Sequence, residues 1–252
     1  MRNFKIVLQY EGTKYQGWQR QESSENTIQG KLEALLSRML NQKIQINGSG
    51  RTDAGVHALG QVANFQCETK MSAEEILSDM NSYLPEDIAV ISIKEVSERF
   101  HSRLNVKGKT YCYRVVNSAI PHVFDRKYVH VVTQPLDIEA MRAAAAVLVG
   151  THDFSAFTST KKSKKSSVRT IDEIKIEKVT DSSSGMRDEI RFTFSGNGFL
   201  YHMVRIIMGT LLEVGEHKRK PEDMAAILSG GSREQAGELV PAKGLTLMEV
   251  RY

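Results

Sequence analysis

The sequence predicts an α+β protein built from two ferredoxin-like, RRM-like βαββαβ units with mainly antiparallel sheets and a cleft between them. Three observations carry this expectation. Apolar residues alternate with period two in several short runs, stripes with helical spacing stand between those runs, and the order in the first hundred residues recurs in the second half.

Taken in order, residues 4–10 alternate as a first strand. Residues 26–40 place Ile28, Leu32, Leu35, Leu36 and Met39 on one helical stripe, with Asn26 or Thr27 available as the cap. Ile44 and Ile46 mark a second strand and residues 60–66 a third. Ser72 with Glu75 forms a capping box ahead of Ile76, Leu77, Met80 and Leu84, and Ile88–Val96 closes the unit. The basic stretch after Val96 marks a boundary, giving units of residues 1–105 and 106–252. The second unit opens with a strand at 111–116, then a helix at 137–149 with Gly150 as its C′ residue. Residues 171–179 and 190–194 make a hairpin across the polar "DSSSGMRD" loop. A helix at 199–214 turns Leu200, Val204, Ile207 and Leu211 inward. A short helix opens at Pro221, and a strand at 245–250 ends the chain.

The bulk properties narrow the function. With 252 residues and 40% hydrophobic content, the chain can bury a real core. The start, "MRNFKIVLQY", lacks the apolar run of a secretory leader, and residues 199–214, the most apolar stretch, are short and interrupted by His202 and Arg205. Cys67 and Cys112 lie in no metal-like spacing, which suits a reduced, cytoplasmic protein. Charge is uneven: residues 1–105 carry 12 Lys/Arg against 13 Asp/Glu, whereas 106–252 carry 22 against 17. The sharpest excess is "TKKSKKSSVRT", where Lys161, Lys162, Lys164, Lys165 and Arg169 have no acidic neighbour. Such a run is either a solvated loop or an arm for a polyanion.

The loop "NGSGRTDAGVHALGQV" holds the most pointed candidates. It joins the second and third strands, where paired strands can aim a side chain accurately. Its glycines follow neither G-x-G-x-x-G nor the P-loop, Ser49 lacks the G-x-S-x-G frame, and Asp53 with His57 makes too sparse a pair for a metal site. Read alone, Asp53 fits an Asx-type turn and Arg51 a surface ion pair worth at most about 1 kcal/mol. Tyr111 alternates with Tyr113 along "KGKTYCYRV", where one strand face must be core. Arg205 interrupts the apolar "FLYHMVRIIMGTLL", and an arginine buried among such neighbours needs an anionic partner.

These segments together carry a resemblance. "GRTDAGVHALGQVANF", "FHSR", "KTYCYRV", "GTHDFSAF", "SVRTI", "GNGFLYHMVRIIMGTLLEVG" and "AGELVPAKGLTLMEVRY" resemble, in order and over essentially the whole chain, the tRNA pseudouridine synthase A (TruA) family. The match to GRTDAGVH with GNGFLYHMVR is highly specific. The chain departs from the family near the C terminus, where Lys243 stands in "VPAKGL" and members more often read a histidine.

The resemblance implies isomerisation of uridine to pseudouridine at positions 38, 39 and 40 of the anticodon stem-loop. It implies no cofactor and no metal, since nothing is oxidised and no group is lost. Asp53 becomes the ionised nucleophile. Arg205 becomes a counter-charge that offsets the upward pKa shift of a buried carboxylate. Tyr111 offers a ring for the uracil and a hydroxyl for proton removal at C5, and Arg51 meets phosphate or holds the extruded nucleotide. Lys161, Lys162, Lys164 and Lys165 become substrate contacts. The partners implied are tRNA, recognised largely by shape, and a second copy of the chain as a homodimer; no membrane is involved. Two other readings compete. An RRM-type binding protein would need sheet aromatics in the RNP pattern, which the sequence lacks. A metal-dependent nuclease would need carboxylates more densely clustered than these.

Overall fold

The N-terminal alternation forms β1 (Arg2–Tyr10), which buries Phe4, Ile6, Leu8 and Tyr10. It pairs antiparallel with β3 (His57–Cys67) along one edge and with β4 (Ile88–Val96) along the other. A three-residue β2 (Ile46–Gly48) adds to β3, so the order is β4-β1-β3-β2. Helix α1 (Ile28–Met39) lies between β1 and β2 in the chain, and α2 (Ala73–Tyr83) between β3 and β4. This is the βαββαβ order expected. Both helices begin where their caps predict. Thr27 accepts from the Gly30 N–H at 3.2 Å, and Ser72 and Glu75 make a reciprocal capping box. The α1 stripe buries Ile28, Leu32, Leu35 and Leu36, and the α2 stripe Ile76 and Met80.

The computed structural model describes residues 1–160, 166–179 and 189–252, which divide into two units: Met1–Lys107 with Thr246–Tyr252, and Gly108–Leu245. The last strand, β10 (Leu245–Arg251), was expected to lie with residues 106–252, yet Thr246–Tyr252 groups with the first unit. Thr246 and Leu247 pair parallel with His57 and Ala58, on the edge of β3 that takes β2 further along. Beyond the strand, the Tyr252 hydroxyl donates to the Ser102 carbonyl at 2.7 Å, its ring lies 5.2 Å from Phe100, and the Lys5 ammonium sits 4.4 Å above it.

In the second unit, β5 (Gly108–Asn117) carries a short parallel partner, β6 (His130–Val132). Its other partner is the antiparallel β9 (Glu189–Gly196), followed outward by β8 (Val168–Val179) and β7 (Gly150–Asp153). The β8–β9 hairpin is the one expected; its tip lies outside the described residues. Strands β6 and β7, with three and four residues, are too short to show a period in the sequence. Helix α3 (Ile138–Ala146) is capped by Asp137, which accepts from the Ala140 N–H at 3.0 Å. It stops before 149, and Gly150, at φ +115, opens β7 instead of closing a helix.

Helix α4 (Met203–Gly215) begins four residues later than expected. The apolar run gives no sign of this, but His202 takes φ +65, and a left-handed residue cannot continue a right-handed helix. Helix α5 (Asp223–Leu228) follows a turn in which the Met224 N–H donates to the Pro221 carbonyl at 3.2 Å. Residues 237–241 then run across α4. A Cβ on Gly209 would overlap the Glu238 carbonyl oxygen, and the Gly237 N–H donates to the Thr210 hydroxyl at 2.9 Å. Thr210 in turn donates to the Ile206 carbonyl.

This crossing sets a sign. Gly to Ala inside a helix ordinarily stabilises by up to about 1 kcal/mol. Here the methyl meets backbone, so Gly209→Ala is expected to destabilise by roughly 1–3 kcal/mol or more, read as a lower urea midpoint with unchanged slope. A midpoint at or above wild type would refute the close approach.

Candidate active site

The loop between β2 and β3 is held from below by a buried polar network. The Tyr10 and Thr52 hydroxyls lie 2.8 Å apart. Gln61, fully buried on β3, donates to the Gly50 carbonyl at 3.2 Å and accepts from the Ser49 hydroxyl at 2.7 Å. Its amide also reaches the Tyr10 hydroxyl at 3.4 Å. Burial pushes the Tyr10 phenol well above its ordinary range, against the pull of Thr52 and Gln61, so it stays a neutral hydroxyl. Above this floor the chain turns at Asp53: the Val56 N–H donates to the Asp53 carbonyl at 3.1 Å, with Gly55 at φ +79 as a turn of type II requires in its third position. Asp53 is half-buried, whereas Arg51 is exposed.

From the side the loop is clamped by residues 12–18, an arm to which the sequence reading gave no role. The Trp18 N–H donates to the Thr52 carbonyl at 3.0 Å, and the Gly55 N–H to the Tyr15 carbonyl at 3.3 Å. The arm approaches so closely that a Cβ on Gly12 would overlap the Val56 carbonyl, and one on Gly17 (φ +90) would stand 2.7 Å from the Thr52 oxygen. Helix α1 steadies the arm in turn, since its first N–H groups, Ile28 and Gln29, donate to the Gly17 and Trp18 carbonyls. The Gly12 N–H donates to Nδ1 of the buried His57 at 3.0 Å. The signal available in the sequence was the pair of glycines, 12 and 17, immediately after a strand.

Arg51 is steadied through amides. Its Nε donates to Gln19 at 3.1 Å, and Gln19 donates to Gln29, which donates to the buried Glu33 at 2.9 Å. Glu33 also accepts from the Ile46 N–H of β2 at 3.0 Å. Arg51 and Asp53 therefore leave one loop whose two flanks are both fixed.

The other expected site residues belong to the second unit. Tyr111 lies on β5, 8% exposed, with its ring edge-to-face with Phe199 at 5.4 Å and 88°. Arg205 is half-buried on α4, and its Nε donates to the Val240 carbonyl at 2.8 Å. The next carbonyl, Pro241, accepts from the Tyr113 hydroxyl at 2.8 Å. Residues 237–241, pinned on Gly209 and Thr210, thus position both side chains. Burial drives the Tyr113 phenol upward, with the Arg205 charge opposing. Lys243 follows in a short 3-10 turn (Ala242–Gly244). Burial first, and then the Lys243 charge, lower the pKa of His130, whose ring lies 6.4 Å from Tyr113. Lys161, Lys162, Lys164 and Lys165 lie outside the described residues. Cys67 and Cys112 are free and buried, and no group of three or more His, Cys, Asp or Glu side chains is placed to hold a metal among the described residues. No helix among them is long and apolar enough to cross a membrane.

The family described as tRNA pseudouridine synthase matches residues 6–105 and 144–252. A "tRNA pseudouridine synthase A" of Bacillus sp. (strain KSM-64) is 46% identical over 252 residues, covering all of both chains. "tRNA pseudouridine synthase A 1" of Clostridium tetani (strain Massachusetts / E88) is 46% identical, and a "tRNA pseudouridine synthase A" of Brevibacillus brevis is 44% identical, each with the same full coverage.

Removing the hydroxyl beneath the loop leaves two buried polar groups short of a partner. Tyr10→Phe is therefore expected to destabilise the protein by about 1–3 kcal/mol, measured by urea unfolding. Unchanged stability would mean that the network does not support the loop.

Proposed function

Since the chain belongs to the tRNA pseudouridine synthase family, we propose that it isomerises uridine to pseudouridine in tRNA, at positions 38, 39 and 40 of the anticodon stem-loop, with Asp53 as the nucleophile. The observation that carries this reading is the Asp53 loop itself. A carboxylate that only had to turn the chain would not need a four-member polar floor, a glycine-lined arm and a helix N-terminus to hold it. Such fixity is what a reacting group requires, because a displacement of about 1 Å can cost about a hundredfold in rate.

The reaction breaks the bond from uracil N1 to ribose C1′, turns the base, and joins C5 to C1′. Atoms and electrons balance within the substrate, so a carboxylate suffices and no metal or redox cofactor enters. Tyr111 takes the uracil face and the C5 proton, a role supported by the T-shaped contact that orients its ring. Arg205 supplies positive charge from a helix position set by the Val240 carbonyl. Arg51 meets a phosphate or holds the extruded nucleotide, a step that costs a few kcal/mol. Three adjacent target positions suit backbone recognition better than base-edge reading. The same reading carries a cytoplasmic homodimer and a lysine arm at 161, 162, 164 and 165.

Two outcomes test it. Asp53→Asn should keep tRNA binding while pseudouridine formation falls by roughly a thousandfold or more, measured by pseudouridine mapping of tRNA after incubation; wild-type activity in the variant would discard the assignment. Replacing Lys161, Lys162, Lys164 and Lys165 with glutamine should weaken tRNA binding and lower the slope of log K against log salt by up to about 3–4. An unaltered slope would remove the arm from the interface.

A further inference from the structure

Tyr201 and His202 serve none of the roles above, yet they form a braced aromatic pair in the second unit. The rings stack at 3.7 Å and 26°. In that unit Tyr111, Tyr113, Phe154, Phe157, Phe192 and Phe194 are buried, whereas Tyr201 is 54% exposed, and Phe124 and Tyr128 are exposed as well. One face of the Tyr201 ring is stacked on His202, so a base would have to take the other face.

The support is fixed at three points. His202 holds φ +65, a conformation that costs a non-glycine residue roughly 1 kcal/mol. Its Nδ1 lies 2.9 Å from the Ser159 hydroxyl. The Tyr201 carbonyl accepts from the Thr158 hydroxyl at 3.0 Å and from the Ser159 N–H at 3.4 Å. The segment that makes these contacts continues in the sequence directly into Lys161. A strained backbone and three polar contacts hold this exposed aromatic, and the segment that makes the contacts, Thr158 and Ser159, precedes in sequence a run that suits a polyanion. Folding gains nothing from this exposure, since the ring leaves apolar surface in water.

We propose that Tyr201, braced by His202, is a stacking platform for an unpaired base of the RNA substrate. The proposal rests on tRNA being that substrate. An aromatic face takes any base, and it requires a base that is not already stacked on both sides, as in a loop or bulge. The platform thus adds preference for unpaired RNA without reading sequence, and it does so through a ring, not through charge.

The test is a fluorescence-anisotropy titration of unmodified tRNA at several salt concentrations. Tyr201→Ala should weaken binding by about 5- to 100-fold, the range expected for loss of one stacked base, with the salt slope unchanged. Tyr201→Phe and Tyr201→Trp should stay within about twofold of wild type, because the face and not the hydroxyl is used. His202→Asn, in which asparagine tolerates the left-handed backbone, should weaken binding without lowering the melting temperature. A fully paired RNA hairpin with a minimal loop should bind wild type and Tyr201→Ala alike. Equal tRNA affinity in Tyr201→Ala, a loss as large in Tyr201→Phe, or a changed salt slope would each overturn the platform. A wild-type protein that fails to bind tRNA at all would instead overturn the substrate reading on which it rests.

Discussion

The constraint on which the candidate site depends is backbone lying against backbone with no room for a Cβ. In the first unit residues 12–18 press on the turn at Asp53; in the second, residues 237–238 press on α4 at Gly209. Packed protein interiors are nearly incompressible, so a contact of this kind fixes two segments relative to each other more tightly than side-chain packing does. Hydrogen bonds then fix direction: Trp18 and Gly55 tie the arm to the loop, and Thr210 ties residue 237 to the helix. In both units the residues with candidate chemistry stand a few positions from such a contact. Asp53 is between Thr52 and Gly55, and Arg205 is one helical turn from Gly209 and bonded to Val240.

The polar network under the loop serves the same end by a different route. Tyr10, Ser49, Thr52 and Gln61 are all buried, and each costs free energy unless its hydrogen bonds are made. Among the described residues no buried side-chain nitrogen or oxygen lacks a partner. A network satisfied in one arrangement penalises every other arrangement, so it specifies the loop's conformation more than it stabilises the fold. An apolar floor of the same volume would hold the loop as firmly against solvent but would select its geometry less sharply.

How much of this was legible in the sequence follows from how local each feature is. Ser72 with Glu75 caps α2 through atoms three residues away, as the letters alone place it. The sequence leaves Asn26 or Thr27 open for α1 and places Asp137 as the first helical residue, whereas the structure makes Thr27 and Asp137 the caps. The βαββαβ order of the first unit follows from periods of 2 and 3.6, and the Asp53 loop from its position between two such runs. What was hidden depends on distant partners. The arm at 12–18 works through its backbone against residues 40 positions on, so its side chains carry little signal beyond two glycines. The final strand groups with the first unit, where Thr246 and Leu247 pair with His57 and Ala58 and Tyr252 meets Lys5, Phe100 and Ser102, which no pattern within residues 106–252 could announce. Likewise the apolar run through 199–214 looks helical throughout, and only the hydrogen bonds from Thr158 and Ser159 show why it turns at His202.

The lysine at position 243 bears on the same framework. Lys243 sits in the turn between Pro241, which receives the Tyr113 hydroxyl, and Gly244, whose Cα lies against the Tyr113 ring so closely that a Cβ would be 2.7 Å from it. Its charge acts on His130, which burial already disfavours in the protonated state; the two effects have the same sign, so the imidazole is neutral near pH 7. A histidine at position 243 would remove that fixed charge and relax one of the two pressures on His130. Lys243 thus bears on the electrostatics around His130 and Tyr113, while the neighbouring carbonyl at 240 accepts from Arg205. That separation matters: a change of charge at 243 would alter the surroundings of Tyr113 without removing the backbone carbonyl that holds Arg205.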